Sequence, residues 1–343
     1  GLFDAISKKD RILFTPYQSF DALVNFLKAA GEDENVTEIS MTLYRLGSKS
    51  PVVEALINAA EAGKKVTAVI ELKASFDEER NFLWSEKLKK SGVDVIFGVS
   101  GLKTHAKCCL VSRNEKSGTK YYATVSTGNY NAGTARIYSD LSLFTADDRI
   151  CSDLKRLFSQ IKEDRISGGF ESLIVSPKDM EKQILELIEH EADSKGHIIL
   201  KMNSLTDKTI INALYAASQK GVKIELCVRG ICMLRPGVEG LSENISVVSV
   251  VGRFLEHARV FYFEKTGRLY IGSPDMMPRN LHKRVEILCP VYDADCRSEI
   301  ERLLSIWLSD KVKGYSLDSE GRYFVSGKNG ISSQEQFISM MKQ

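Results

Sequence analysis

The stretch GLKTHAKCCLV, residues 101–111, decides how this sequence is interpreted. It places His105 and Lys107 two positions apart at the start of an apolar run. Side chains two positions apart on a strand face the same way, so the stretch predicts an imidazole beside a fixed cation at a strand end. A packed core has little use for such a pair, and the pattern therefore indicates a functional site.

The pattern occurs a second time in RFLEHARVFYF, residues 253–263, where His257 and Arg259 hold the equivalent positions. Internal repetition of this kind predicts two similar domains, which we place at residues 1–165 and 166–343. Further segments repeat in the same order: EALINAAEAGKKV (54–66) with NALYAASQKGVKI (212–224), VSTGNYN (125–131) with IGSPDMM (271–277), and Asp140 with Glu286.

Strand-like and helix-like segments alternate between the repeats. KKVTAVIELK (64–73) is rich in β-branched residues and predicts a strand. SPVVEALINAAEAG (50–63) has helical spacing, a Ser-Pro start and a glycine stop. This alternation predicts an α/β fold with helices on both faces of a sheet. We expect two tandem domains, each a mostly parallel sheet flanked by helices.

Composition narrows the class of protein. The 343 residues are 43% hydrophobic and 27% charged, with a net charge of +2, which gives no reason to expect a nucleic-acid partner. The longest apolar runs are strand-sized, well short of the roughly 20 residues that a membrane-spanning helix needs. The seven cysteines contain no CxxC pair, which predicts reduced, buried thiols in a cytoplasmic protein. Peripheral association with a membrane stays open.

The repeated polar residues suggest a reaction. Each half offers an imidazole, a cation, small hydroxyl or amide groups such as Asn129, and a carboxylate, Asp140 or Glu286, that can orient an imidazole through its second ring nitrogen. Two such halves face to face would form a phosphate-sized pocket, with a nucleophile on one side and an acid or base on the other. The remaining histidines, His190, His197 and His282, are interpreted as surface or packing residues.

This arrangement resembles the phospholipase D superfamily, whose signature is H-x-K-x4-D followed by G-S-x-N. The chain departs from that signature, because Ser112 and Glu264 stand where the two aspartates would be. The departure weakens the interpretation as a plain phosphodiesterase.

Longer stretches resemble one branch of that superfamily, polyphosphate kinase of the first type. The resemblance covers nearly the whole chain but only the C-terminal half of that family. We therefore expect the family's N-terminal domains as further domains of the same enzyme, and a homo-oligomer at full length. The stretches include ILFTPYQSFDALVNFL, TGNYNAGTARIYSDLSLFTAD, VRGICMLRPGVEGLSENISVVSVVGRFLEHARVFYF and YIGSPDMMPRNLHKRVEILCPV.

The resemblance implies reversible transfer of the γ-phosphoryl group of ATP to inorganic polyphosphate, with ADP released and Mg²⁺ as the cofactor. It implies a phosphohistidine on His105, the histidine of the family's HAK motif. Tyr138, Arg229 and His257 match the family's nucleotide contacts. Arg45 matches a phosphate–Mg²⁺ site, and we interpret it as binding the phosphate that the ion also binds.

Phosphoryl transfer depends on positioning and charge neutralisation, and arginine suits phosphate oxygens. The candidate cations are Arg45, Lys107, Arg229, Arg235 and Arg259. No GxxxxGK[ST] loop is present, which excludes a P-loop kinase.

The family usually has an arginine where ELKASFDEE has Ser75. We expect this departure to change turnover or chain-length preference, unless a neighbour such as Lys73 replaces the missing guanidinium.

Two alternatives to the phosphotransferase remain open. One is a phospholipase-D-like phosphodiesterase, and the other is a non-catalytic fragment that binds polyphosphate. Labelling with γ-labelled ATP separates the three, since only the phosphotransferase would carry an acid-labile, base-stable label on His105.

Overall fold

The structure is a computed structural model that describes residues 1–47, 49–72, 78–193, 195–325, 327 and 329–341. Ser75, and Lys73 as its possible replacement, lie outside the described residues. The first half forms, in chain order, α1 (Leu2–Lys8), β1 (Arg11–Thr15), α2 (Asp21–Glu32), β2 (Val36–Leu43), α3 (Pro51–Glu61), β3 (Lys65–Ile70), α4 (Glu78–Lys90), β4 (Asp94–Ile96), β5 (Lys103–Thr104), β6 (Cys108–Glu115), β7 (Gly118–Ser126), β8 (Tyr138–Thr145) and α5 (Asp148–Lys162).

The second half follows a similar order and ends on an additional hairpin and helix. It forms β9 (Ile174–Val175), α6 (Met180–Asp193), β10 (His197–Met202), α7 (Lys208–Gln219), β11 (Lys223–Val228), β12 (Ile245–Val250), β13 (Leu255–Glu256), β14 (Val260–Phe263), β15 (Arg268–Gly272), α8 (Pro278–His282), β16 (Arg284–Val285), β17 (Ile287–Pro290), α9 (Ala294–Leu308), β18 (Gly314–Leu317), β19 (Tyr323–Val325) and α10 (Ser333–Met340).

Local sequence explains where the helices begin. Ser50 caps α3 by accepting a hydrogen bond from the backbone N–H of Val53, and Pro51 occupies the first helical position, as its fixed φ favours. Asp147 caps α5 and Asp293 caps α9 in the same way. The predicted Ser-Pro start of the helix after residue 50 is thus confirmed.

Each half is built on one large sheet. The first sheet has the order β1-β8-β7-β6-β2-β3-β4, with β13 added beside β8, and the second has the order β19-β18-β12-β11-β10-β14-β15-β17-β9. The α/β class with two sheet-rich halves is confirmed.

The prediction that the sheets are mostly parallel was wrong. Only β2–β3–β4 and β10–β11–β12 run parallel along the two orders, and the other neighbours are antiparallel. The reason lies in the connections. Helices α3, α4 and α7 lie in the connections from β2 to β3, β3 to β4 and β10 to β11, and residues 229–244 join β11 to β12. Residues 116–117 and 264–267, by contrast, join β6 to β7 and β14 to β15 as hairpins. Connections this short permit only antiparallel pairing.

The hydrophobic core continues across the two halves. One cluster combines Leu141 and Leu154 of the first half with Val260, Ile287 and Trp307 of the second. The predicted boundary at residues 165/166 falls between α5 and β9, and the division into two domains there stays a prediction. No helix among the residues described has the length and apolarity to cross a bilayer.

Two short strands cross from one half to the other. β5 pairs in parallel with β16, with Lys103 opposite Arg284 and Thr104 opposite Val285. β13 pairs in parallel with β8, with Leu255 opposite Tyr138 and Glu256 opposite Ser139. These reciprocal pairings bring the two histidines of the repeat, His105 and His257, to the boundary between the halves.

Candidate active site

The strand pairing fixes His105 opposite a carboxylate of the other half. The backbone N–H groups of His105 and Ala106 both donate to the carbonyl oxygen of Val285, at 2.9 and 2.8 Å. Because Glu286 follows Val285 directly, its carboxylate reaches the imidazole, and His105 Nδ1 lies 2.7 Å from Glu286 Oε2. Asn280 Nδ2 donates to the other carboxylate oxygen at 2.6 Å.

The second histidine is held by the mirror arrangement. The backbone N–H groups of His257 and Ala258 donate to the carbonyl oxygen of Ser139, at 3.1 and 2.8 Å. Asp140 follows Ser139, and both of its carboxylate oxygens lie 2.9 Å from His257 Nδ1. Thr127 Oγ1 also donates to Asp140 Oδ1, at 2.6 Å. Each half therefore supplies the carboxylate that orients the histidine of the other half.

Burial keeps both imidazoles neutral at neutral pH. It lowers the pKa of His105 to about 3, with Glu286 opposing and Lys107 reinforcing the shift. Burial, reinforced by Arg259 and opposed by Asp140, lowers the pKa of His257 to about 4. A carboxylate only accepts hydrogen bonds, so each Nδ1 carries the proton and each Nε2 is unprotonated.

The two carboxylates stay ionised. Burial acts to raise the pKa of Glu286, but His105 and Lys107 outweigh it and bring that pKa to about 2. Burial likewise acts to raise the pKa of Asp140, and His257 outweighs it, so the pKa is lowered. A permanent negative charge behind each imidazole favours the positive charge that develops on the ring when Nε2 attacks an electrophile.

The two cations of the repeat are used differently. Lys107 is 1% exposed, and its ammonium donates to the carbonyl oxygen of His105 and lies over the ring of Tyr44, 5.0 Å from the centroid. Burial lowers the pKa of Lys107 well below its ordinary value, Glu286 opposes this shift, and Arg259 reinforces it. Charged groups from both halves therefore influence the pKa of Lys107.

Arg259 forms a fork around the other histidine. Its Nη1 lies 3.0 Å from His257 Nε2 and donates to the carbonyl oxygens of His257 at 2.8 Å and Thr127 at 3.2 Å. Its Nη2 donates to Asp275 Oδ2 at 3.3 Å. Nη1 also lies 3.1 Å from His257 Nδ1, so the guanidinium stands beside both ring nitrogens.

Two of the three residues predicted to contact the nucleotide line a cavity of about 600 Å³. Tyr138 and Arg229 line it, together with residues 250–256. The ring of Tyr138 lies 5.0 Å from that of His257, and Arg229 Nε donates to the carbonyl oxygen of Glu256 at 2.6 Å. The three predicted nucleotide ligands are therefore neighbours in space.

Other predicted residues lie near the first histidine. Arg45 is half-buried after β2, beside the ring of Tyr44, which meets the His105 ring edge-on at 4.8 Å. Asn131 Nδ2 donates to the Arg45 carbonyl oxygen at 3.1 Å. Asn129 Oδ1 is buried and accepts no hydrogen bond from any described residue. Arg235 is exposed, and its backbone N–H donates to Tyr215 at 2.8 Å.

The remaining histidines lie outside the two pairs. His197 Nε2 lies 2.7 Å from Glu225 Oε2 on the neighbouring strand β11, and His282 at the end of α8 lies 3.8 Å from Glu181. His190 is exposed on α6.

Sequence analysis missed several polar residues of the site. Asn280 holds Glu286, Tyr44 packs on His105, and Glu71 Oε2 accepts from the backbone N–H of Thr104 at 2.7 Å. The repeat could have revealed one of them, since Glu71 aligns with Arg229 at the offset of 158 residues that relates the two copies of the first repeated segment. Asn280 aligns with Thr134, which matches it in polarity but not in residue type.

Two family models match the chain, Polyphosphate kinase C-terminal domain 1 over residues 1–167 and Polyphosphate kinase C-terminal domain 2 over residues 173–336. Polyphosphate kinase 1 of Chlorobaculum tepidum is 45% identical, over 100% of this chain and 50% of its own length. The polyphosphate kinase of Synechocystis is 47% identical, over 94% of this chain and 45% of its own length.

Solved structures give a consistent result. The polyphosphate kinase of Porphyromonas gingivalis superposes with a TM-score of 0.91 at 38% identity, over 99% of this chain and 53% of that one. A phosphatidylserine synthase of Haemophilus influenzae gives a TM-score of 0.62 at 10% identity, over 99% of this chain and 96% of that one. The latter likeness concerns the phospholipase-D-like fold alone. The chain spans about half the length of the curated relatives that it matches.

Proposed function

This chain belongs to the polyphosphate kinase family, and we propose that it carries the catalytic centre for reversible transfer of a γ-phosphoryl group between ATP and inorganic polyphosphate. The observation that carries the proposal is the exchange of carboxylates between the halves, which holds two neutral imidazoles by Nδ1 and leaves the Nε2 lone pair of His105 available for attack.

In the proposed reaction, the Nε2 lone pair of His105 attacks the γ-phosphorus of ATP. A P–N bond forms, the bond from phosphorus to the β–γ bridging oxygen breaks, and ADP leaves with that electron pair. A terminal oxygen of polyphosphate then attacks the phosphohistidine, the P–N bond breaks, and the imidazole is restored. A phosphoryl group on imidazole keeps a high transfer potential, so the sequence runs in both directions.

The other residues would bind and neutralise charge. Glu286 stabilises the developing charge on the His105 ring, and Lys107 and Arg259 bear positive charge toward the phosphoryl oxygens. His257, with Nδ1–H directed at Asp140, would hold or release a proton at Nε2 as the leaving or attacking oxygen requires. Tyr138 and Arg229 would bind the nucleotide in the cavity of about 600 Å³ that they border, and Arg45 and Asn129 would bind phosphate oxygens.

Magnesium enters this proposal as part of the Mg·ATP substrate. Mg²⁺ prefers oxygen ligands, mainly carboxylates and water, but Asp140 and Glu286 are already bonded to imidazoles. The described residues contain one other cluster of potential metal ligands, Glu181, Asp207 and His282, which includes no residue of the site. The side chains described at the site therefore form no resident magnesium site, and Arg45 would bind a phosphate that the ion also binds.

The curated relatives are about twice as long as the part of them that this chain matches. The chain spans about half of them, and we propose that the family's N-terminal domains and a second copy of the enzyme complete the working assembly. A fragment without those domains that only binds polyphosphate is the competing possibility.

The experiment is to incubate the chain with γ-³²P-labelled ATP and Mg²⁺, quench, and measure protein-bound label at low and high pH. We expect label that survives base and is lost in acid, that is absent in His105→Ala, and that is chased to polyphosphate or ADP. His190→Ala on exposed α6 is the matched control and should label normally.

Other outcomes would contradict the proposal. Cleavage of a phosphodiester without lasting label would favour the phosphodiesterase. Polyphosphate binding that weakens with salt, with no label even when N-terminal domains of a relative are supplied, would favour the binding fragment.

A further inference from the structure

One buried side chain of helix α10 contacts the segment that directly precedes His257. Gln334 is 4% exposed, and its amide is fully used on that strand. Its Oε1 accepts from the backbone N–H of Phe254 at 3.0 Å, and its Nε2 donates to the carbonyl oxygen of Phe254 and to Glu256 Oε1, both at 2.8 Å. An amide bonded on both of its ends is fixed in orientation.

Glu256 connects the Gln334 amide to the pair formed by His257 and Asp140. The side chain is buried, and its Oε2 accepts from Ser139 Oγ at 2.9 Å and lies 3.2 Å from Lys201 Nζ. Glu256 directly precedes His257, and Ser139 directly precedes Asp140. Each member of the pair is thus covalently next to a residue of one buried network, so a shift of Glu256 moves His257 relative to Asp140.

The surrounding structure makes room for Gln334 specifically. A Cβ added at Gly252 would lie 2.5 Å from Gln334 Oε1, so a glycine is needed for the amide to approach the backbone. Gly252 and Phe254 also line the cavity that we assign to the nucleotide. Gln334 therefore supports one wall of the cavity as well as the strand of the histidine.

The helix itself is anchored without Gln334. The ring of Phe337 packs on Phe14, Tyr17 and Trp307, with centroids 5.2, 5.3 and 5.2 Å away. The backbone N–H and the hydroxyl of Ser333 both donate to Asp310 Oδ2, at 2.7 and 2.6 Å. Removing the Gln334 amide therefore leaves α10 in place, which makes its role separable from that of the helix.

The other histidine has no such support from α10. The residue before His105 is Thr104, whose backbone N–H donates to Glu71 within its own half. The Gln334 network is therefore an addition to one of two otherwise matched sites.

We propose that Gln334 is a positioning residue that acts through Phe254 and Glu256 to hold His257 against Asp140. The proposal rests on the proposed function for its catalytic consequence, but not for its structural one.

The test uses Gln334→Met, which keeps nearly the same volume and removes all three hydrogen bonds, in the full chain. Gln336→Met is the matched control on the same helix, because Gln336 bonds only to the carbonyl oxygen of Ile331. The first readout is the ¹⁵N spectrum of the His257 ring, assigned by comparison with His257→Gln. The second is steady-state transfer from ATP to polyphosphate.

We expect the wild type and Gln336→Met to show His257 as a single Nδ1–H tautomer. Gln334→Met should show mixed tautomers or exchange-broadened signals, with a fall of about tenfold in kcat, since sub-ångström misplacement of a reacting group has effects of this order. Unchanged His257 signals and kcat in Gln334→Met would overturn the proposal, even if its melting temperature fell, because the three hydrogen bonds of Gln334 would then contribute to stability alone.

Absence of transfer by the wild type would count against the proposed function alone. In that event the ring spectrum of Gln334→Met still decides the positioning role, in favour if the tautomers mix and against if the signals match those of the control.

Discussion

The two histidine sites share a backbone plan but differ in the groups around the ring. His105 is packed by Tyr44 and accompanied by Lys107, whose ammonium turns back to the main chain. His257 lies beside Tyr138, which lines a cavity, and beside the forked guanidinium of Arg259. In both sites a short strand pairs with a strand of the other half, and this pairing places a carboxylate of that half opposite the imidazole ring. The differences therefore show which features specialise two duplicated sites for two roles.

The specialisation fits a nucleophile and a proton-handling residue. A nucleophilic imidazole needs an unprotonated Nε2 and a carboxylate behind it, and the pKa of about 3 and the contact with Glu286 supply both for His105. Arg259 lies 3.0 Å from Nε2 of His257, which suits a ring that meets an anionic oxygen rather than one that must approach phosphorus. These differences support our proposal that His105 is the nucleophile and that His257 handles the proton.

The largest effect should come from removing each imidazole in turn. His105→Gln should abolish protein-bound label from ATP, because we assign the P–N bond to His105 and proton transfer to His257. His257→Gln should still label His105, but more slowly by about 10²–10⁴-fold, the usual contribution of a general acid or base. Rapid-quench measurement of label formation checks both. Equal and complete loss in the two variants would remove the distinction between the sites.

A smaller effect should follow from neutralising each carboxylate. Glu286→Gln should slow labelling of His105 by about 10²–10³-fold, since it removes the negative charge opposite the attacked ring. Asp140→Asn should slow labelling less, because it acts through His257. Single-turnover rates at saturating ATP measure the contrast. A greater loss in Asp140→Asn than in Glu286→Gln would reverse our assignment of nucleophile and proton-handling residue.

The two variants should also differ in stability. Glu286 forms an ion pair with Arg284 at 3.7 Å and opposes the burial of Lys107, whereas Arg259 keeps Asp275 when Asp140 is neutralised. Breaking a buried charge pair destabilises by about 3–5 kcal/mol, so the free energy of unfolding should fall more in Glu286→Gln. Urea denaturation measures the difference, and it must be established before the rates are compared.

The sequence predicted which residues would form the site better than it predicted their pairing. The repeat located both histidines, both cations and both carboxylates, because H-x-(K/R) and the acidic positions recur in register. It gave no sign that Glu286 serves His105 and Asp140 serves His257. That exchange depends on β5, β13 and β16, each of two residues, and a two-residue strand has no periodicity to detect.

The mistaken sheet direction has a similar cause. Alternating strands and helices in residues 36–70 and 197–228 indicated parallel pairing, and there the parallel pairs are observed. The hairpins β6–β7 and β14–β15 lack intervening helices, and the prediction gave too little weight to their short connections. Gln334 was beyond reach for another reason, since α10 has no counterpart in the first half and its partner strand is nearly 80 residues away.

The smallest effect, and the one that compares the sites without any substrate, is the dependence of stability on pH. Both histidines have pKa values below the ordinary 6.5, about 3 for His105 and about 4 for His257. Below pH 6.5 the unfolded chain therefore binds protons that the folded chain refuses, and stability falls as the pH falls. Each histidine adds at most about 1.4 kcal/mol per pH unit.

We expect the free energy of unfolding to fall between pH 6.5 and 5 by about 1–2 kcal/mol per buried histidine, with no contribution from them above pH 7. His105→Gln and His257→Gln should each make the slope shallower. Their difference appears only below pH 4, where the folded His257 takes up its proton while His105 still refuses one. Glu286 adds to the acid lability in that range, since its pKa falls from 4.5 to about 2. Denaturant titrations from pH 7.5 to 3.5 measure these slopes. A slope that steepened in either glutamine variant would mean that the replaced histidine is protonated in the folded wild-type chain. That imidazole would then lack the lone pair that the proposed chemistry requires.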